Sequence, residues 1–206
     1  MNSVNARVMT RQRGQHHGDL RRALLDAALG LLREGSSTDE LTLRGVARRA
    51  GVSPAAPYHH FPSKDALLDA VALEGFRRLR EAQEELPVED PADAVARLTC
   101  TYIEFARSHR AHYGLMFAAL VHAGAAAEVD PALAAAAVAT FDHLAGAVAA
   151  TGIEPEAARD RALQIWALAH GVVALIDTVG ALDQSFTPER VLDRTAEVAR
   201  RIATDG

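Results

Sequence analysis

The sequence predicts an all-α protein: a small N-terminal helical domain followed by a larger C-terminal helical domain, about nine helices in total. Three observations lead there. Apolar residues recur at intervals of three and four, as in Leu43, Val46, Ala47 and Ala50. Helix starts are marked by a capping residue followed by proline at Ser53-Pro54, Asp90-Pro91, Asp130-Pro131 and Thr187-Pro188, with Glu154-Pro155 as a fifth. No sustained period-two alternation and no Asn-Gly or Asp-Gly hairpin turn interrupts the body of the chain.

Taken in order, helices are expected at about 17–34, 42–50, 53–60, 63–85, 91–108, 110–122, 130–151, 155–181 and 187–203. Residues 1–15 are polar with scattered Arg7, Arg11 and Arg13, and are expected to form a flexible arm. Such an arm either enters a minor groove or has no role; both readings stay open. Asp90 and Asp93 approximate a capping box, and Glu189 lies in a first turn, near the positive end of the helix dipole. The expected units are the arm 1–15, a small helical unit 16–64 and a larger helical unit 65–206.

The 206 residues, 49% hydrophobic, suffice for two cores. The net charge of -5 argues against nucleic acid until its distribution is considered. Residues 1–80 carry 13 Lys or Arg against 8 Asp or Glu, whereas the remaining 126 carry 9 against 19. A local basic surface is all that phosphate attraction requires. The single cysteine, Cys100, has no intramolecular disulfide partner and is read as a packing residue. The N-terminus lacks the apolar core of a secretory signal, and no charge-free apolar run of about 18 residues occurs. A cytoplasmic protein without a membrane span is expected.

Residues 41–68, LTLRGVARRAGVSPAAPYHHFPSKDALL, are the most informative segment. Thr42 caps a helix, Gly51 turns the chain, Ser53 and Pro54 start a second helix, and Pro62 stops it near His60. A short helix after a tight turn has the shape that helix-turn-helix proteins lay in the major groove. Residues 19–71 resemble the N-terminal domain of the tetracycline-repressor family of bacterial transcription regulators. The resemblance rests on an amphipathic first helix ending in Glu-x-Gly, then L-T-x-R-x-V-A-x-x-A-G-V-S, then Y-x-H-F-P-S-K-x-A-L-L. The later stretch WALAHGVVAL, with Trp166, His170 and Gly171, is similar to a subgroup with a Trp-x-x-x-His-Gly motif.

The resemblance and the chemistry together give the expected DNA contacts. Thr42 and Tyr58 are suited to phosphates, and Arg44 to a guanine edge through its planar fork. Lys64, the one lysine in the chain, follows the cap Ser63 at a helix start and suits a point contact with phosphate. Ser53, Pro54, Ala55 and Ala56 occupy the start of the reading helix, which has Ala55, Ala56 and Pro57 where the commoner family pattern has glycine, threonine and leucine. His59 is then its best polar reader, while His60 and Phe61 are assigned mainly to the core.

The helix at 155–181 is apolar on much of its circumference, and that at 187–203 carries a narrower stripe. The resemblance implies that these eighth and ninth expected helices pair with their symmetry mates in a homodimer. A two-fold dimer also suits a palindromic operator in double-stranded DNA. It further implies a cavity for a small, largely apolar effector, with Tyr113, Met116, Phe117, Phe141, Trp166 and His170 as candidate lining. His170 either orients a ligand or bonds a neighbouring carbonyl. No cofactor, metal or catalytic residue is expected: His109 with His112, or His143 with His170, lacks a third ligand. No nucleophile beside a base and no Gly-rich phosphate loop is present. The expected function is a sequence-specific regulator, a repressor released by an effector; the alternatives are an all-helical enzyme and a helical adaptor.

Overall fold

The computed structural model describes residues 9–84, 89–123 and 130–204. Their helices are α1 (Met9–Arg33), α2 (Leu43–Ala50), a 3-10 helix (Ala56–His59), α3 (Lys64–Glu84), α4 (Pro91–Ser108), α5 (Arg110–Ala123), α6 (Pro131–Ala149), α7 (Pro155–Leu182) and α8 (Pro188–Thr204). No strand occurs among the described residues. The chain divides into two compact units, Met1–Val71 and Ala72–Gly206. The first helix begins at Met9, ahead of the expected residue 17, so residues 9–15 of the expected arm are helical. Residues 1–8, with Arg7, lie outside the described residues.

In the N-terminal unit, α1 packs on α2 through Leu24, Leu25, Ala28 and Leu29 from one side and Leu43, Val46 and Ala47 from the other. Thr42 is the cap, its Oγ1 accepting from the Gly45 N–H at 3.0 Å. Gly51 ends α2 at φ 71°, a left-handed conformation suited to glycine, with its N–H on Arg48 O and the Val52 N–H on Ala47 O. Arg49 closes a bidentate pair with Glu34 at 2.6 Å, tying α2 to the end of α1.

The C-terminal unit is built around α4, which packs against α5, α6, α7 and α8. Its core is mostly alanine: Ala145 of α6, Ala158 and Ala162 of α7, and Ala199 and Ala203 of α8 surround Val95, Val148 and Ile165. Short side chains let these helices approach closely. The Asp90 and Asp130 carboxylates each cap their helix, accepting two N–H groups at 2.8–3.1 Å. The expected capping box at Asp90 does not form: Asp93 instead takes the Arg200 guanidinium of α8 at 2.6 Å. Glu154 precedes Pro155 but makes no side-chain cap.

α6 and α7 are long and apolar enough in composition to cross a membrane, which the charge-free-run criterion did not register. Asp142 within α6 pairs with Arg159 at 2.5 Å, and Asp177 within α7 pairs with Arg110. Their alanine faces are spent on each other and on α4 and α8. Cys100 is half-buried, with its Sγ 3.7 Å from Leu192 O, and burial pushes its thiol above the ordinary value.

Gly75 of α3 lies against Met116 and His112 of α5. A Cβ there would lie 2.7 Å from the Sδ of the fully buried Met116. Gly75→Ala should therefore destabilise the protein by about 1–3 kcal/mol through overpacking, and Thr42→Ala by about 1 kcal/mol through loss of the cap. Urea unfolding followed by circular dichroism checks both values.

Candidate functional site

The N-terminal unit offers a charged, exposed edge. Arg44 and Arg48 lie one turn apart on α2, both exposed, and neither has an ion-pair partner among the described residues. Arg49 differs, being committed to Glu34. Arg48 was not singled out from sequence, although its spacing of four from Arg44 places both on one helical face. Thr42 uses an oxygen lone pair for the cap, which leaves its hydroxyl proton free to donate.

The expected reading helix at 53–60 takes a different form. Ser53 does not cap with its side chain: its carbonyl accepts from the Ala56 N–H at 3.0 Å, and Ala55 O accepts from the Tyr58 N–H at 3.2 Å. These are i to i+3 bonds, and regular structure is confined to the 3-10 helix at 56–59. Proline chemistry explains the change. Pro57 has no N–H to give the Ser53 carbonyl, and its ring crowds that carbonyl, while Pro62 forbids continuation.

The buried Pro57 anchors the segment, its carbonyl accepting from His60 N at 2.9 Å and Phe61 N at 2.8 Å. Phe61 is buried with Arg21 over its ring, 5.3 Å from the centroid, and the half-buried His60 lies beside it. Pro54, Ala55, Tyr58 and His59 remain exposed, Tyr58 by 53%, and Ala56 is partly so. Ser63 caps α3 through Ala66 N at 3.1 Å, and the next residue, Lys64, donates to Thr38 O at 3.3 Å. That bond holds the ammonium near the start of α3 and leaves two of its three donors unspent.

In the C-terminal unit the six candidate lining residues separate. Tyr113, Phe117, Trp166 and His170 form a packed aromatic cluster with Tyr102, with ring centroids 4.2–6.4 Å apart. Met116 is fully buried against Gly75. Phe141 and Trp166 face a small cavity shared with Gln83, Leu98, Tyr102 and Ile165. Around His170 the rings of Tyr102, Tyr113, Phe117 and Trp166 lie with centroids 4.2–6.1 Å from its own.

Both nitrogens of His170 are engaged. A carbonyl can only accept, so Nδ1–H donates to Trp166 O at 3.0 Å, and Nε2 accepts from the Tyr102 hydroxyl at 2.9 Å. Burial holds the His170 imidazole below its ordinary pKa, opposed by the bond to Trp166 O. Burial, then the adjacent Tyr113 hydroxyl, push the Tyr102 phenol far above its usual range. Tyr102 and Gln83 were both missed from sequence. An interior Tyr at helical spacing reads as ordinary core, and an isolated Gln near a helix end carries no signal.

Two larger concavities lie elsewhere in this unit. An apolar groove of about 570 Å³ runs between α7 and α8, lined by Leu168, Val172, Leu175, Val179, Val191 and Val198 among others. Several of its apolar side chains are open to solvent, Leu175 by 56% and Phe186 by 42%. The other is a cleft of about 560 Å³ among α3, α4 and α6, lined by Gln83, Glu84, Ala94, Leu98, Asp142 and His143.

Comparison with known proteins gives the context of both units. Residues 24–71 match the family described as bacterial regulatory proteins, tetR family, and residues 95–199 match the tetracyclin repressor-like C-terminal domain. A solved structure of a protein with unknown function from Rhodococcus sp. RHA1 is 35% identical, with TM-score 0.75, over 90% of this chain and 96% of that one. A transcriptional regulator from Rhodococcus sp. Rha1 is 26% identical, with TM-score 0.62, over 89% and 93% of the two chains. An HTH-type transcriptional regulator of Haemophilus influenzae is 36% identical over 90 residues, 41% of this chain, and the match spans 42% of that relative's length. With one match on the DNA-facing unit and one on the helical bundle, the chain belongs to the tetracycline-repressor family of bacterial transcriptional regulators.

Proposed function

We propose that this protein is a cytoplasmic, homodimeric repressor that holds a palindromic operator and releases it when a small, largely apolar effector binds its C-terminal unit. The observation that carries the DNA reading is the exposed, unpaired Arg44 on α2 beside the Thr42 cap, on a segment that matches the family's DNA-binding part. Thr42, Ser53, Tyr58 and Lys64 contact phosphates, and Arg44, with Arg48 one turn on, reaches base edges. His59 adds one polar contact, and Pro54, Ala55 and Ala56 add apolar ones such as thymine methyls. With so few polar readers, DNA shape carries much of the specificity.

The groove between α7 and α8 supports the dimer. An apolar hollow with exposed Leu175, Phe186 and Val198 needs cover, and a second copy of the same pair supplies it across a two-fold axis. That axis places two reading segments on half-sites about 34–36 Å apart. Effector binding shifts the population of dimers away from that spacing; a swing from 99:1 to 1:99 requires about 5.5 kcal/mol of differential affinity. Trp166, His170 and Gly171 fit the Trp-x-x-x-His-Gly subgroup, and in this reading the His170 ring positions Tyr102 and Trp166 and is not the ligand's partner.

Selection of bound sequences from a random DNA pool should yield a palindrome; recovery of no enriched sequence would overturn the reading. On that palindrome, Arg44→Ala should weaken binding by about 1–3 kcal/mol and relax one base position, while Lys64→Ala should weaken all sequences alike and lower the salt slope by about one. Leu175→Asp should turn the dimer into monomer in analytical ultracentrifugation, with operator affinity falling in step. With the folded His170 pKa lowered from 6.5, the unfolded chain binds protons first. Stability should therefore fall as pH drops from about 6.5 through the folded value. Histidine NMR titration alongside thermal melts checks the sign, and His170→Gln should flatten part of that slope.

A further inference from the structure

Gln83, near the end of α3, is 7% exposed, and its Oε1 accepts no hydrogen bond among the described residues. A buried amide oxygen without a donor is costly. No side-chain hydroxyl of the surrounding wall is free to relieve it. The Thr99 hydroxyl donates to Val95 O at 2.7 Å, the Thr140 hydroxyl donates to Ala136 O at 2.9 Å, and the Tyr102 hydroxyl is spent on His170. The Trp166 indole N–H and the His143 ring line the adjoining spaces without bonding to it, which leaves the acceptor open to a donor that enters those spaces.

Two spaces meet at this side chain. On the inner side is a hole of about 20 Å³ walled by Leu98, Phe141, Leu144, Ile165 and Trp166, room for about one water molecule. On the outer side is the cleft of about 560 Å³ among α3, α4 and α6, which Gln83 and Leu98 also line. The charges at the cleft are compensated within the protein: Glu84 takes Arg80 at 2.7 Å and Asp142 takes Arg159 at 2.5 Å. His143 is held below its ordinary pKa by burial and then by Arg80, with Glu84 opposing, which favours its neutral form at pH 7. Among the described residues lining the cleft, no unpaired charge therefore awaits a ligand ion.

The geometry points to Gln83 Oε1 as the acceptor that recognises a neutral, largely apolar effector bearing a hydroxyl or N–H donor, lodged in the α3–α4–α6 cleft with its apolar part toward Leu98. The inference rests on the effector reading above and adds the chemistry of the ligand and the residue that selects it. The selecting group is thus the Gln83 amide, and the His170 imidazole is not. The ligand also sits on the opposite side of the small hole from the packed aromatic cluster.

A matched pair of probes tests it. Cyclohexanol and cyclohexyl methyl ether are titrated into the full chain, read by the fluorescence of Trp166, the sole tryptophan, which lines the inner hole. The alcohol should bind roughly five- to tenfold more tightly than the ether. Gln83→Leu should bring that ratio to about one, and Gln83→Met, a neutral variant that also lacks the acceptor, should do the same. Gln83→Glu, which keeps an acceptor, should keep the preference.

A ratio near one in the unmodified protein, as when a single resident water serves Gln83, overturns the inference. So does a ratio unchanged in both acceptor-less variants, or an alcohol that fails to saturate. Operator release measured in parallel separates this from the wider reading. Gln83-dependent binding without release leaves the inference and removes the effector function. Release by alcohol and ether alike, whatever stands at position 83, does the reverse.

Discussion

Five alanines set the distances in the C-terminal unit. Ala145, Ala158, Ala162, Ala199 and Ala203 lie at the meeting of α6, α7 and α8 with α4, where larger side chains would force the helices apart. Because the inner face of α7 is occupied by these small residues, its larger aliphatic ones, Leu168, Val172, Leu175 and Val179, lie on the outer face and form one wall of an open groove. The bulky rings gather on the α4–α5 side, where Tyr102, Tyr113, Phe117, Trp166 and His170 pack against one another. A cleft opens on the flank of α3, α4 and α6, where, among the described residues, the buried amide oxygen of Gln83 is left unmet.

A different constraint governs the N-terminal unit. Its frame is held by ordinary devices: a Thr cap, a left-handed glycine and a bidentate ion pair between Glu34 and Arg49. Within that frame Pro54, Pro57 and Pro62 leave the segment after the turn few backbone bonds of its own. The segment is fixed by what it buries, Pro57 and Phe61, more than by helical regularity. Its exposed side is apolar except for Ser53, Tyr58 and His59, which concentrates polar chemistry on the preceding helix and on Lys64.

Helix starts were the most legible part of the chain, because an Asp before a proline satisfies orphan N–H groups wherever it falls; Asp90 and Asp130 do so. The same rule misled at Ser53, where a second proline three residues after the first removed the bond that an α-helix needs. Local pattern also missed partnerships across the fold: Asp93 serves α8 and not its own helix start. The aromatic residues were correctly seen as a group, but whether rings enclose a space or fill it depends on packing, which spacing along one helix does not encode. Gln83 was illegible for the same reason, since its significance lies in three hydroxyls on other helices being already committed.

Among 22 basic side chains only Lys64 carries a primary amine, and it lies half-exposed at the start of α3, tethered to Thr38 O. Guanidinium groups are far weaker nucleophiles than amines at neutral pH, because they stay protonated. Amine-directed chemistry on this protein therefore has one side-chain target, on the face proposed to meet DNA. Coupling to a surface through lysine would bury the face proposed to meet DNA, so a biosensor for this protein has to immobilise the DNA instead.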